Sequence, residues 1–366
     1  MRWIWQDKNW ANFEYDPSKL LIYELEFERN TGKIWGAIQH IEAEGLENLK
    51  VEILSQEAVS TSSIEGEILS RESVQSSIRK HLGLKTDFRQ VPPNAAGVAE
   101  MMVDLYVNYD KTLNHEMLFK WHKMLMNGRR DIETIGSYRT HEEPMQIISG
   151  NLSAPRVFYE APPSGQVKAE MDTFLNWYQE NLTNNQKVST FIFAGITHLY
   201  FEIIHPFEDG NGRIGRALVA KAISQRIGKP ALTSFAKVID SQKKAYYQAI
   251  QSCNHQLNID AYLTYFAELT LQAQDYTIRM VSFLIFKTKF FNQYKDLLNE
   301  RQSKVILRMF EAGVEGFKGG LSAGNYKTIS GASNATVTRD LQELVNITAL
   351  TKTGTLKSTR YWLNQQ

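Results

Sequence analysis

Cysteine is almost missing. Cys253 is the only one in 366 residues, which excludes an intrachain disulfide framework and any multi-cysteine zinc site. Long apolar runs are missing too. The strongest candidate, residues 191–207, is broken by His198, Glu202 and His205, so no membrane-spanning helix is expected and no membrane partner follows. The opening Met1-Arg2-Trp3-Ile4-Trp5-Gln6-Asp7 has neither the apolar stretch nor the small-residue cleavage site of an export signal, so the expected location is cytoplasmic. Neither sign of charge prevails: 41 Lys and Arg face 40 Asp and Glu, and any nucleic-acid surface would have to be local. Hydrophobic residues at 43% are enough for packed cores, and the length calls for two or three domains.

What remains is mostly helical periodicity. Leu21, Leu25, Phe27, Ile34 and Ile38 begin an amphipathic pattern that continues through Leu46, Val51 and Leu54 towards Ala58. Pro92-Pro93-Asn94 breaks the chain, and helical patterns follow at 95–108, 115–126, 168–181, 190–203, 211–226, 243–253 and 259–298. Between Thr134 and Gly165 the texture changes, with four of the nine prolines falling inside that stretch. Ile147-Ile148 and Val157-Phe158-Tyr159 predict a short β-hairpin there, a candidate flap over a site. His198 sits on an apolar stretch and reads as a hydrogen-bonded core histidine, and Trp3, Trp5 and Trp10 read as covering the helical core from outside.

The chemistry is concentrated in His205-Pro206-Phe207-Glu208-Asp209-Gly210-Asn211-Gly212-Arg213-Ile214-Gly215-Arg216, a loop running into a helix. Asp209-Gly210 and Asn211-Gly212 tolerate positive φ, so successive backbone N–H groups are expected to converge into an anion nest at the positive end of that helix. Arg213 and Arg216, three apart, share one helix face above it. Such an arrangement suits a polyphosphate. Asp209 stands where a carboxylate can hold Mg²⁺ between two phosphates, and His205 is the one side chain in the stretch that takes a proton near neutral pH.

These residues resemble the signature of the Fic family, His-Pro-Phe-x-(Asp/Glu)-Gly-Asn-Gly-Arg-x-x-Arg, at every specified position. The resemblance implies a protein adenylyltransferase that moves AMP from ATP to a Ser, Thr or Tyr hydroxyl of a target protein. By position, His205 would be the general base and Asp209 the Mg²⁺ ligand. Gly210, Asn211, Gly212 and Arg213 would stabilise the transferring charge. Arg216 would bind the γ-phosphate, with Gly215 beside it in the nucleotide site. Gly136-Ser137-Tyr138-Arg139 resembles the segment preceding the family's flap, and Arg156-Val157-Phe158-Tyr159 would be the flap edge that clamps a target peptide by strand addition. Residues 245–254 resemble the segment closing over adenine and ribose, with Tyr246 and Asn254 as the contacts.

Thr61-Ser62-Ser63-Ile64-Glu65-Gly66 has two readings. Locally, Ser60 to Ser63 would cap a helix whose first turn contains Glu65. Alternatively, the six residues resemble the family's inhibitory motif, (Ser/Thr)-x-x-x-Glu-(Gly/Asn), starting at Thr61. Glu65 would then pair with Arg216 and deny it to a γ-phosphate.

The last 66 residues hold nine Lys and Arg against four Asp and Glu. The order helix, short helix, Gly331-Ala332 turn, helix, then two β-rich pieces joined by Gly354 predicts a winged helix-turn-helix, with DNA as one partner. Mainly α is therefore the expected fold class: an N-terminal helical region over 1–90, a helical Fic core with a β-hairpin flap over 91–270, a linker helix over 271–299, and the winged unit over 300–366. The resemblance also implies a homodimer. Two competing functions are a DNA-binding regulator that uses the core as a nucleotide sensor, and a transferase with another nucleotide donor.

Overall fold

The computed structural model describes residues 2–39, 41–87, 89–149, 156–183 and 188–364, leaving aside the side chains of Ile148, Ser149 and Arg156. It is mainly helical. The helices are α1 (Leu21–Ile38), α2 (Ala43–Ile64), α3 (Arg71–His81), α4 (Pro93–Val107) and α5 (His115–Leu125). After the hairpin β1 (Gln146–Ser149) and β2 (Arg156–Glu160) come α6 (Ser164–Thr183), α7 (Thr190–Ile204), α8 (Asn211–Ile227), α9 (Phe235–Ser241), α10 (Lys243–Gln251) and α11 (Asp260–Tyr294). The chain ends with α12 (Glu300–Glu311), α13 (Ala323–Ser330), α14 (Asn334–Asn346) and the hairpin β3 (Leu350–Thr353) and β4 (Arg360–Leu363).

Two compact units divide the chain. The first comprises residues 1–34 and 50–277, the second residues 35–49 and 278–366. The first is organised around α7, which is buried along its whole length except at Thr190 and Glu202. Gly195 lets α11 approach it: a Cβ there would stand 3.0 Å from Leu263 Cδ2 and Phe266 Cδ1. His198, fully buried on α7, shares hydrogen bonds with Tyr262 Oη at 2.9 Å and Tyr246 Oη at 2.8 Å, the core role its setting predicts. Trp3, Trp5 and Trp10 pack half-buried against this core, and Trp5 Nε1 donates to the Glu160 carbonyl at 2.7 Å.

The expected pattern needs correction in this unit, where it also lacks α9. Phe27 and Ile34 of α1 are buried, but Leu21 and Leu25 are 56% and 66% exposed, because Leu20 takes the inward position one residue earlier. The run from Leu21 towards Ala58 is two helices, and the second continues to Ile64. Ser60 to Ser63 therefore form the last turn of α2 and cap no following helix, so Glu65 lies beyond a helix C-terminus. The expected pattern also omits α3. Its inward face holds Ser73, Ser76 and Ser77 beside Val74 and Ile78, so burial there is not apolar periodicity.

In the second unit, α12, α13 and α14 enclose a core that includes Val305, Phe310, Tyr326, Leu341 and Leu344. Gly331, with φ 70°, ends α13, and the Ser333 hydroxyl accepts from Thr336 N to start α14. Asp340 is fully buried and accepts from Tyr326 Oη at 3.0 Å and from Arg301 Nε at 3.1 Å. Strands β3 and β4 pair antiparallel with Leu350 opposite Leu363, and Leu321 bridges to Tyr361. This helix–turn–helix and hairpin order is the expected one.

Candidate active site

The site begins where α7 ends. His205 closes the helix in the left-handed region (φ 49°, ψ 60°), a conformation a non-glycine residue holds only when its surroundings enforce it. Arg139 enforces it. Its buried guanidinium donates from Nε to the His205 carbonyl at 2.9 Å, from Nη2 to the Pro162 carbonyl at 2.5 Å, and from Nη1 to Ser164 Oγ at 2.9 Å. Its backbone N–H also donates to the Pro206 carbonyl at 3.0 Å.

The loop after His205 is braced by two side chains. Asn211 is buried, its Oδ1 accepting from Phe207 N at 2.9 Å and its Nδ2 donating to the Phe207 carbonyl at 2.8 Å. His122 stacks on Phe207 with centroids 4.2 Å apart. Gly136 N donates to His122 Nδ1 at 2.9 Å, so Nε2 carries the hydrogen and faces the Asp209 carbonyl at 3.2 Å. Burial lowers the His122 pKa to about 4, in keeping with a neutral ring. Within the motif only His205 and Gly210 have positive φ, while Asn211 and Gly212 already belong to α8. The expected nest is thus a helix N-terminus after one left-handed glycine, and among the described residues no side chain caps its first N–H groups.

His205 Nδ1 lies 3.3 Å from the Glu202 carbonyl. A carbonyl only accepts, so Nδ1 carries the hydrogen and Nε2 keeps its lone pair. Burial, aided by the Arg139 charge, lowers its pKa to about 4, leaving a neutral base at physiological pH.

Arg213 and Arg216 are both buried, with 6% and 1% of their side chains exposed. Arg216 donates from Nε to Thr61 Oγ1 at 2.8 Å, and from Nη2 to the Thr61 carbonyl at 3.0 Å and Glu65 Oε1 at 2.7 Å. Burial opposes its charge, yet Glu65 together with Tyr246 and Glu202 outweighs this and raises the pKa. Arg213 donates from Nη1 to Glu67 Oε2 at 3.1 Å and from Nη2 to Asp209 Oδ1 at 3.3 Å. One donor of each guanidinium, Arg213 Nε and Arg216 Nη1, is buried with no acceptor among the described residues. Bare glycine at 212 is what admits Glu65, since a Cβ there would lie 2.3 Å from Glu65 Oε1.

Asp209 accepts from Arg129 Nη1 at 2.7 Å and from Gly210 N at 2.5 Å. Burial raises its pKa, but Arg213 and Arg129 outweigh that and hold it below the ordinary value. Among the described residues no three His, Cys, Asp or Glu side chains converge as a metal cage. One carboxylate at a helix N-terminus, completed by phosphate oxygens and water, is nonetheless a donor set magnesium accepts.

Part of this constellation, but neither Asp209 nor Arg213, lines a cavity of about 690 Å³, within the ordinary range for small-molecule sites. Glu65, His205, Gly212, Arg216, Tyr246 and Asn254 line it, together with Phe158 and Tyr159 of β2. Tyr246 is buried, whereas its neighbour Tyr247 is 39% exposed on the same wall. Asn254 Nδ2 donates to the Phe158 carbonyl at 2.8 Å, tying the hairpin to the wall. Tyr159 Oη donates to the Ile203 carbonyl at 2.6 Å, and Val157 is 38% exposed. Strand β2 pairs through Tyr159 opposite Ile147, while the Arg156 side chain lies outside the described residues. Gly215 faces Glu202, whose Oε1 would stand 2.4 Å from a Cβ at 215. Burial raises the Glu202 pKa to about 7. The sequence reading had no role for Glu67, His122, Arg129 or Glu202, and none for Arg139 beyond its segment.

With this geometry in view, the segment that carries it is similar to the Fic/DOC family. Residues 112–223 match the Fic/DOC family model, and residues 3–84 match a domain of unknown function, DUF4172. A probable protein adenylyltransferase of Aquifex aeolicus is 33% identical over 93 residues, covering 25% of this chain and 28% of that one. The protein adenylyltransferase Fic of Nematostella vectensis is 29% identical over 119 residues, covering 31% and 26%. This chain therefore spans about a quarter of the length of these curated relatives. A Fic family protein from Desulfovibrio desulfuricans shares the fold over 92% of this chain and 95% of its own, with a TM-score of 0.52 and 19% identity. Fic-1 of C. elegans, residues 134–508, does so over 72% and 73%, with a TM-score of 0.51 and 18% identity.

Arg139→Ala is expected to destabilise the fold by about 3 kcal/mol, because several buried carbonyls lose their donor at once. Urea unfolding measures this, and Arg139→Lys, with three donors in place of five, should recover only part of the loss.

Proposed function

We propose that this protein is an adenylyltransferase that moves AMP from ATP to a hydroxyl side chain of a target protein, held at rest by Glu65. The observation carrying this reading is the placement of two buried arginines, each with an unpaired donor, at the N-terminus of α8 and beside a neutral His205. Buried guanidinium donors without acceptors suit a ligand rich in anionic oxygen. In the reaction, His205 Nε2 takes the proton of the target hydroxyl while that oxygen bonds to the α-phosphorus. The bond from the α-phosphorus to the bridging oxygen breaks, and pyrophosphate leaves. Arg213 and the first N–H groups of α8 stabilise the charge on the transferring group, and Arg216 orients the γ-phosphate. Asp209 would hold Mg²⁺, which supplies charge neutralisation between two phosphates when bound. Strand β2 is the edge on which a target segment would lie.

The test uses intact-mass detection of added AMP. Glu65→Gly is expected to raise transfer at least about tenfold, and His205→Ala in that background to lower it about 10²–10⁴-fold. Arg216→Ala should abolish it. Wild type and Glu65→Gly transferring equally would remove Glu65 from the scheme. Because the ring of His205 protonates only near pH 4, the rate should stay level between about pH 6 and pH 8 and fall on acidification below about pH 5.

For the C-terminal unit we propose contact with duplex DNA. From Gly316 to Asn364 the only acids are Asp340 and Glu343, and Asp340 is buried against Tyr326 and Arg301. Lys327, Arg339, Lys352 and Lys357 are exposed, as are Asn334 and Thr338 on the outer face of α14. Anisotropy of a labelled random-sequence duplex should show binding that weakens steeply with salt. Lys352→Glu with Lys357→Glu should lower the salt slope by about two. No binding at low salt would end this reading.

A further inference from the structure

Glu65 is followed by Gly66 at φ 83° and then by a second carboxylate, Glu67. The turn is tight: Gly66 N donates to the Ser63 carbonyl at 3.0 Å and Glu67 N to the Ser62 carbonyl at 2.9 Å. It delivers both acids to the first two turns of α8. Glu65 reaches Arg216, and Glu67 Oε2 takes Arg213 Nη1 at 3.1 Å. Glu67 is itself tethered, because Asn94 Nδ2 at the start of α4 donates to its other oxygen at 2.7 Å. About 30% of the Glu67 side chain is exposed, against 6% for Arg213, so the acid has somewhere to go and the arginine does not.

We infer that Glu67 is a second brake, acting on Arg213 independently of the action of Glu65 on Arg216. This rests on the proposal that the site takes a nucleotide through those two arginines. The charge on Arg213 is the one assigned above to the transferring group. While Glu67 holds it, that charge is already neutralised, and any phosphate approaching Arg213 also meets the carboxylate. Removing Glu65 frees only Arg216. On this view Glu65→Gly is a half-opened site, and full phosphate affinity requires Glu67 to turn out towards solvent. The opposite role, Glu67 as a prop holding Arg213 in a productive pose, predicts an opposite sign and is what the experiment separates.

The measurement is calorimetric titration of the full chain with ADP, which has no transfer step to complicate the heat. Starting from Glu65→Gly, addition of Glu67→Gln keeps the side-chain shape and removes its charge. ADP is expected to bind roughly three- to tenfold tighter, since one competing ion pair is lost. Asn94→Ala, which loosens the tether without altering any charge, should shift affinity in the same direction by less. Melting curves alongside show whether each variant is folded. Binding by Glu65→Gly that is unchanged or weakened in both added variants overturns the brake and leaves the nucleotide site standing. Failure of every variant, wild type included, to bind ADP overturns the nucleotide site and the brake together.

Discussion

Burying Arg216 is the constraint from which most of this site follows. A guanidinium cannot shed its proton inside a protein, so 2% exposure obliges the fold to surround it with acceptors. Thr61 supplies two of them from the last turn of α2, and Glu65 supplies the charge just beyond that helix. The same positive charge pulls on two further buried carboxyls, Glu57 and Glu202, whose pKa values burial raises to about 7. Glu57 is occupied elsewhere, both its oxygens accepting from Ala236 N in the first turn of α9. So α2, α7, α8 and α9 converge on a single charge, and the segment 61–67 is where its compensation enters the site.

The second constraint is the left-handed turn at His205. It stops α7 and swings the imidazole towards the cavity, and it is held from behind by Arg139 rather than by anything in the motif. The imidazole is thereby set by backbone geometry: the carbonyl of Glu202 fixes the tautomer, and burial keeps the ring neutral. Asn211 and His122 then shape the loop that brings Asp209 and the first turn of α8 beside that base. A contiguous dozen residues form the candidate site, while side chains and carbonyls between residues 61 and 139 hold much of it in place.

That division explains what could be read from the sequence. The stretch from His205 to Arg216 is legible because its members act through local geometry: a helix end, a glycine turn, a helix start, and two arginines three apart. The Glu65–Arg216 pair was legible only through a resemblance, since local reading gave Ser60 to Ser63 the role of a cap at the wrong end of a helix. Glu67, Arg129, His122 and Arg139 are ordinary residues in sequence, and their meaning lies in partners between 66 and 146 positions away. Helix α3 hid for a different reason. Its buried face is largely serine, so the periodicity used to find helices was absent while the Ser70 cap was present.

A site made of two buried arginines poses a problem before any substrate arrives. Left alone, Arg213 and Arg216 would be uncompensated charges in the interior, a state that costs several kcal/mol each. The fold must therefore supply anions of its own. This chain carries them, as Glu65, Glu67 and the doubly bridged Asp209. Resident carboxylates are then the form that charge compensation takes in this site. On the proposed reading, a nucleotide displaces Glu65 and Glu67 only by as much as its phosphates prefer the arginines over them. On the proposed reading, a contact that turned Glu65 and Glu67 outward would raise phosphate affinity while leaving the imidazole, the turn and the arginines as they are.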